Sequence, residues 1–301
     1  MASKIKIIFL GTSAQIPTAK RNHSGILLNY KEENILFDCG EGTQRQFRKA
    51  KLNPCKITRI AITHIHGDHI FGLPGLLSTL NFSGYNKELI IYCPKGARKI
   101  IEEFIDVEHL KNGFKIKILE VIGKFYENSE FYLEAESMHH GLPTNAYNFV
   151  IKDKLRIDKS KLKKYKIEHG PMLKNLKEGK DIIYKGKKYK AKDLLYGEKG
   201  KKISFVMDTL FNNKIVKFVK DADLLICDSS FSSENSKEAK EHLHLTAKQD
   251  GEIAKTAKAK KLVLTHISQR YDNHIKGLLE DAKKSFKNVS VAEDLDEIIV
   301  K

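Results

Sequence analysis

Three imidazoles and a carboxylate fall within the seven residues Thr63-His64-Ile65-His66-Gly67-Asp68-His69. Imidazole nitrogen and carboxylate oxygen suit zinc, and also manganese or iron(II). One ion takes three or four protein ligands, so this stretch alone cannot complete a two-ion centre. Further ligands must come from elsewhere in the chain. His139 or His140, Asp208 and His266 each follow a strand-like apolar run, at residues 131–137, 203–207 and 262–265. Asp228, after residues 224–227, is a rival carboxylate for Asp208. Side chains gathered at the ends of neighbouring strands can turn towards one point, and a cluster of this composition predicts metal-dependent hydrolysis.

The elements that must position these groups can be read from periodicity. Residues 57–64 form an Ile-rich buried strand that ends at the histidine motif. Residues 69–81 read as a helix with Leu73, Leu76, Leu77 and Leu80 on one face. Earlier, residues 5–10 read as a strand, 24–30 and 34–38 as a hairpin, and 41–51 as a helix. Residues 89–93 give a strand, 96–105 a helix, and 114–151 successive strands. Beyond residue 202, strands at 203–207, 222–227 and 262–265 alternate with helices near 211–220, 245–258 and 274–284. Two half-chains of mixed elements predict two stacked sheets with helices outside.

Between the halves lies a different kind of sequence. The net charge of the 301-residue chain is +16, and residues 152–202 hold 19 Lys and Arg against 7 Asp and Glu, a net +12. A general lysine bias would not concentrate in this way, and such a strip attracts polyanions. It is punctuated by glycines, barely shows an apolar face, and reads as an arm inserted into and protruding from a single domain spanning 1–301. No apolar run is long enough to span a bilayer, and the N-terminal run is too short for a secretory leader. The expectation is a cytoplasmic protein with no membrane contact, whose Cys39, Cys55, Cys93 and Cys227 are reduced thiols.

Residues 63–69 resemble the H-x-H-x-D-H signature of the metallo-β-lactamase superfamily. More narrowly, Phe9-Leu10-Gly11-Thr12-Ser13, the run from Phe37 to Gln44 with its Glu41-Gly42-Thr43-Gln44, and His242-Leu243-His244-Leu245-Thr246 resemble the ribonuclease Z family of tRNA 3′-processing endonucleases. The resemblance runs from about Lys4 to Ser290. It implies an αββα four-layer sandwich. It also implies two zinc ions per subunit, with manganese or iron(II) as substitutes: one held by His64, His66 and His140, the other by Asp68, His69 and His266, with Asp208 bridging. Asp68 and His244 are then the catalytic residues, His244 giving a proton to the leaving 3′ oxygen. Residues 152–202, with Gly170-Pro171, become a tRNA-binding exosite. The implied substrate is precursor tRNA and the implied assembly a homodimer.

The chain departs from the family pattern at Met207, Leu210-Phe211 and Leu245, which concerns substrate contacts and leaves the ligand set intact. Asp38 reads equally well as a support for a ligand histidine and as a turn residue. His242 reads as a surface residue or a support behind the site, and His23 as a loop residue near its mouth, either solvated or shaping the entrance.

Overall fold

Residues 4–106 and 113–301 are described by the computed structural model. In the first strand, Ile5–Gly11, alternate side chains take opposite faces. Ile8 and Leu10 join a buried cluster with Leu36, Ile60 and Ile91, while Ile7 and Phe9 are buried on the other face. The same alternation runs through a seven-stranded sheet. Its order is Glu297–Val300, Ile5–Gly11, Gly25–Tyr30, Glu33–Phe37, Arg59–Ala61, Leu89–Cys93 and Ile116–Glu120. The first four strands pair antiparallel and the last four parallel.

A second seven-stranded sheet runs Val289–Val291, Leu262–Thr265, Leu224–Asp228, Lys202–Val206, Leu142–Ile151, Phe131–His140 and Gly123–Glu127. The first four of these are parallel, so they point their C-terminal ends the same way. The two sheets meet through aromatic rings: Phe37 stacks on Phe205 with centroids 3.7 Å apart, and Tyr147 lies 6.0 Å from Phe37. Helices Thr43–Lys49, Leu73–Phe82 and Arg98–Asp106 cover the outer face of the first sheet with Phe47, Leu76 and Ile101. Helices Asn213–Phe218, Ala247–Thr256 and Ile275–Lys283 cover the second with Ile215, Ile253 and Leu278. The layers are therefore helix, sheet, sheet, helix, as expected. Each such Leu or Ile contributes about 1.5–3 kcal/mol by leaving water.

The predicted helix over 69–81 is broken. A short helix, Gly67–Ile70, is followed by Leu73–Phe82. At the break, the Gly72 amide donates to the Cys39 carbonyl at 2.9 Å. A Cβ on Gly72 would lie 2.0 Å from the Gly40 carbonyl oxygen, so only glycine permits this approach. Pro74 then starts the second helix, where its missing N–H costs nothing. The result holds Asp68 and His69 on a separate turn.

The chain divides into two compact units. One comprises the chain up to Tyr126, Leu133–Phe149 and Lys202–Lys301; the other comprises Glu127–Tyr132 and Val150–Lys201. The second unit corrects the expectation of a stretch almost without an apolar face. Leu162, Ile167, Leu173, Leu176, Ile182 and Leu194 form a buried cluster of its own. They come from helices Lys159–Lys164, Met172–Lys177 and Ala191–Leu194, from the short strand Ile182–Tyr184 and, for Ile167, from the segment between the first two helices. Each piece supplies one or two residues, too few to show a period. The hairpin Ile182–Tyr184 with Lys187–Tyr189 turns through Lys185 and Gly186, at φ +47° and +76°, the pair of positive values that a tight two-residue hairpin turn requires.

Candidate metal centre

Four residues of the histidine motif stand where residues 62–66 leave the first sheet and Gly67–Ile70 begins. His64 Nε2 lies 3.0 Å from His66 Nδ1, and His66 Nδ1 lies 3.2 Å from His140 Nε2 at the end of Phe131–His140. Asp208 Oδ2, just beyond Lys202–Val206, is 3.6 Å from His64 Nε2 and 3.5 Å from His140 Nε2. A second group shares that oxygen. Asp208 Oδ2 is 3.5 Å from His69 Nε2. His69 Nε2 is 3.2 Å from His266 Nε2 and 3.4 Å from Asp68 Oδ2, and His266 Nε2 is 3.2 Å from Asp68 Oδ2.

Ligand atoms about 2.0–2.1 Å from one ion in a tetrahedral arrangement sit roughly 3.3–3.4 Å apart. The spacings within each group match that edge length. All seven residues are of metal-ligand type, and the ligand atoms of each group lie within 4.8 Å of one another. The buried Oδ1 of Asp208 makes no hydrogen bond. The residues fit a metal centre.

The groups behind these side chains fix their orientation. Asp38 Oδ2 accepts from His69 Nδ1 at 2.8 Å, while Asp38 Oδ1 accepts the Thr63 amide at 2.7 Å. This decides between the two readings of Asp38: it orients a histidine. Asp228 Oδ1 faces His266 Nδ1 at 3.2 Å and accepts from Ser230 Oγ and N. Its Oδ2 accepts from His244 Nδ1 at 2.7 Å. Asp228 thus stands behind two histidines, and it also falls in a third possible metal-holding group with Asp208, His244 and His266. The Leu243 carbonyl accepts from His140 Nδ1 at 3.0 Å. Asp38, Leu243 and His266 all have φ near +60°. Such backbone is uncommon for residues other than glycine, and its recurrence around one cluster marks a site that over-determines its geometry.

Electrostatics follow from the packing. Burial pushes the His64 and His66 imidazoles below their ordinary pKa. Burial opposes ionisation of Asp68 and Asp208, but neighbouring histidines, His69 and His266 foremost, outweigh it and hold both carboxyls well below the usual range. The converse holds for His266, where burial is overcome by Asp208, Asp228 and Asp68 and the value reaches about 10. His69 is raised in the same way. A cation bound there would compete with protons for the raised histidines.

His66, Asp68, His140, Asp208, His244 and His266 line a cavity of about 580 Å³. The remaining expectations separate cleanly. His139 is exposed and engages Leu210 only through its carbonyl. His242 is exposed, its ring parallel to Phe231 at 6.2 Å. His23 is buried rather than solvated, its Nε2 3.1 Å from the Gln15 carbonyl. Asp228 and Ser230 were the groups whose roles sequence reasoning missed. The signal available for them was their place at the end of a strand that is parallel to, and next to, the one preceding Asp208.

A family profile described as Anti-Pycsar protein Apyc1 matches residues 5–286. Ribonuclease Z of Nanoarchaeum equitans is 39% identical over 292 residues, covering 97% of this chain and 92% of that protein. The crystal structure of human tRNase Z, short form, superposes with a TM-score of 0.70 at 28% identity, covering 97% of this chain and 98% of the other. The metallo-β-lactamase fold protein YhfI of Bacillus subtilis superposes with a TM-score of 0.72 at 18% identity, over 99% and 100% of the two chains. With two stacked sheets, flanking helices and seven clustered His and Asp side chains, the chain has the metallo-β-lactamase fold, shares the family of the Apyc1 profile, and belongs to the ribonuclease Z family of hydrolytic endoribonucleases.

Proposed function

We propose that this enzyme removes the 3′ trailer of precursor tRNA, leaving a 3′-hydroxyl on the tRNA and a 5′-phosphate on the trailer. One observation carries the hydrolytic part: Asp208 Oδ2 stands within 3.6 Å of ligand nitrogens in both groups. In this reading His64, His66 and His140 would hold one zinc ion, Asp68, His69 and His266 would hold the other, and Asp208 would serve both; manganese or iron(II) would fit the same donors. When bound, two such ions would supply Lewis acidity at the phosphoryl group and would acidify water towards neutral pH.

The chain's own residues do the rest. Asp68, ionised and at the cavity wall, orients the attacking water. His244 is the proton donor to the 3′ oxygen. Burial disfavours its charge, but Asp228, helped by Asp208, raises its pKa above the ordinary histidine value, so the protonated form is present at neutral pH. The bond from Nδ1 to Asp228 leaves Nε2, which lies 3.9 Å from Asp208 Oδ2, to deliver the proton.

The substrate assignment is supported by the relatives, named ribonuclease Z and tRNase Z. It is also supported by the net +12 of residues 152–202. Lysine contacts to phosphate position a nucleic acid without reading its sequence, which suits an enzyme that accepts many tRNAs by shape. The aromatic-lysine pairs Lys164 over Tyr165 and Lys187 over Tyr189 place cations beside apolar rings on the same unit. The exosite role of that unit, the homodimer and the cytoplasmic location belong to this proposal. Among the described residues no helix is long and apolar enough to cross a membrane.

The test is cleavage of a 3′-extended precursor tRNA with end mapping, with and without chelator, for the wild type and Asp68→Ala. The expected result is a single cut that needs both metal and Asp68. Cleavage that survives chelation would sink the metal mechanism. Turnover of a small phosphodiester with an uncut precursor tRNA would point instead to another phosphodiesterase of this fold.

A further inference from the structure

Two motifs that carry the family resemblance, Phe9 to Ser13 and Glu41 to Gln44, supply no group to the metal cluster. The first of them, and Gln46 two residues beyond the second, meet a carboxylate almost at the other end of the chain. Asp294 Oδ1 accepts from Thr12 Oγ1 at 2.8 Å. Asp294 Oδ2 accepts from the Asn22 amide at 2.8 Å and from Gln46 Nε2 at 2.7 Å. Thr12 Oγ1 in turn accepts from Arg21 Nη1 at 2.7 Å, and the same nitrogen donates to the Ala292 carbonyl at 2.7 Å. Asn22 Nδ2 donates to the Glu41 carbonyl at 2.8 Å. One carboxylate thus ties both ends of the segment 12–22 to the helix that begins at Thr43.

The middle of that segment faces the cavity. Ala14, Gln15 and Ile16 line it together with Phe231 and Arg270, and Ile16 is 52% exposed. An exposed isoleucine at the cavity wall offers an apolar contact surface. The segment also runs beside the last ligand: Ala14 N donates to the Ile267 carbonyl at 3.0 Å, and Ile267 N donates to the Thr12 carbonyl at 2.8 Å. His266 nevertheless has its own supports in Asp228 and Ser230, so the metal cluster does not depend on this segment alone.

We infer that Asp294 is a positioning residue for RNA: through Thr12, Asn22 and Gln46 it sets the Ala14–Ile16 wall against which the nucleotides flanking the scissile phosphate rest. This inference rests on the proposed function, because it needs a polymeric substrate longer than the metal cluster can touch. A small phosphodiester that reaches only the cluster does not use the wall. Loss of the latch therefore weakens catalysis on RNA more than on the small substrate. Misplacing a contact by about an ångström can cost up to about a hundredfold, and a partial loosening about tenfold.

The experiment compares kcat and KM of wild type, Asp294→Asn and Thr12→Val on precursor tRNA and on bis(p-nitrophenyl) phosphate, with metal per chain measured on each preparation. Asp294→Asn leaves one acceptor oxygen, so it cannot accept from Thr12 on one side and from Asn22 N and Gln46 Nε2 on the other as the carboxylate does. Thr12→Val keeps the shape and removes the relay to Arg21, and serves if the first variant folds poorly. The expected result is a roughly tenfold fall in the ratio of RNA to small-substrate kcat/KM, mostly through KM, at wild-type metal content. An unchanged ratio, or a parallel loss of both activities with loss of metal, would overturn the inference. Failure of the wild type to cut precursor tRNA, with the small substrate still turned over, would instead overturn the proposed function.

Discussion

Asp38, Asp68, Asp208 and Asp228 are at most 7% exposed, and histidines surround them. In the basic unit the ion pairs are of another kind: Lys180–Glu178 and Lys199–Asp153 have side chains between 46% and 86% exposed. Exposed pairs of this sort are worth about 0–1 kcal/mol each. The first region holds its charges in one arrangement by mutual contact, which chemistry at a single phosphate requires. The second keeps its lysines in water, where exchanging a weak partner for a phosphate costs little. The contrast teaches that charge number is not the functional quantity. What matters is whether each charge is committed to a neighbour inside the chain.

The comparison can be broken most severely at its centre. Asp208→Ala removes the one oxygen common to both groups and should lower phosphodiester turnover by at least roughly a thousandfold, with reduced metal per chain by elemental analysis. Retained metal and activity would show that the shared oxygen is dispensable. His244→Ala should lower kcat by about 10²–10⁴-fold at wild-type metal content, since the ligands are untouched. Metal loss in that variant would mean that His244 is itself a ligand, as its place in a group with Asp208, Asp228 and His266 permits.

In the basic unit the effect should be smaller and of another form. Neutralising Lys163, Lys164 and Lys187 to Gln should weaken precursor tRNA binding about tenfold and lower the slope of log affinity against log salt by roughly 2–3. An unchanged slope measured by binding titration would remove the unit from the RNA contact surface.

The smallest effect tests the commitment rule inside the first region. Asp250 is fully buried, but only its Oδ2 is hydrogen-bonded, to Ser229 Oγ at 2.7 Å. Burial raises its carboxyl well above the usual range, opposite to Asp228. With the folded value above the unfolded one, its contribution is most favourable below about pH 4 and is lost as pH rises towards the folded value. Asp250→Asn removes that dependence. Relative to wild type, its Tm should improve by a few degrees between pH 5 and pH 8, read by thermal scans. A constant difference across that range would show that Asp250 is not held protonated.

Much of this was legible in residue types and spacing. The motif at 63–69, the strand ends before Asp208 and His266 and the outer helices needed only periodicity. The choice between His139 and His140, and between Asp208 and Asp228, did not follow from it. Adjacent residues on a strand face opposite ways, so a one-residue error in register selects the wrong histidine. Asp208 and Asp228 follow neighbouring parallel strands, with Val206 opposite Cys227, and only the loop path decides which carboxylate reaches the cluster. The break at Gly72 and the cluster around Leu176 depend on contacts between segments distant in sequence, which no local window contains.

Anomalous diffraction at the zinc edge, from crystals of the wild-type enzyme grown with zinc, tests the central claim most directly. The account predicts two peaks flanking Asp208 Oδ2, one beside His64, His66 and His140 and the other beside Asp68, His69 and His266. A single peak, or peaks away from Asp208, would contradict it.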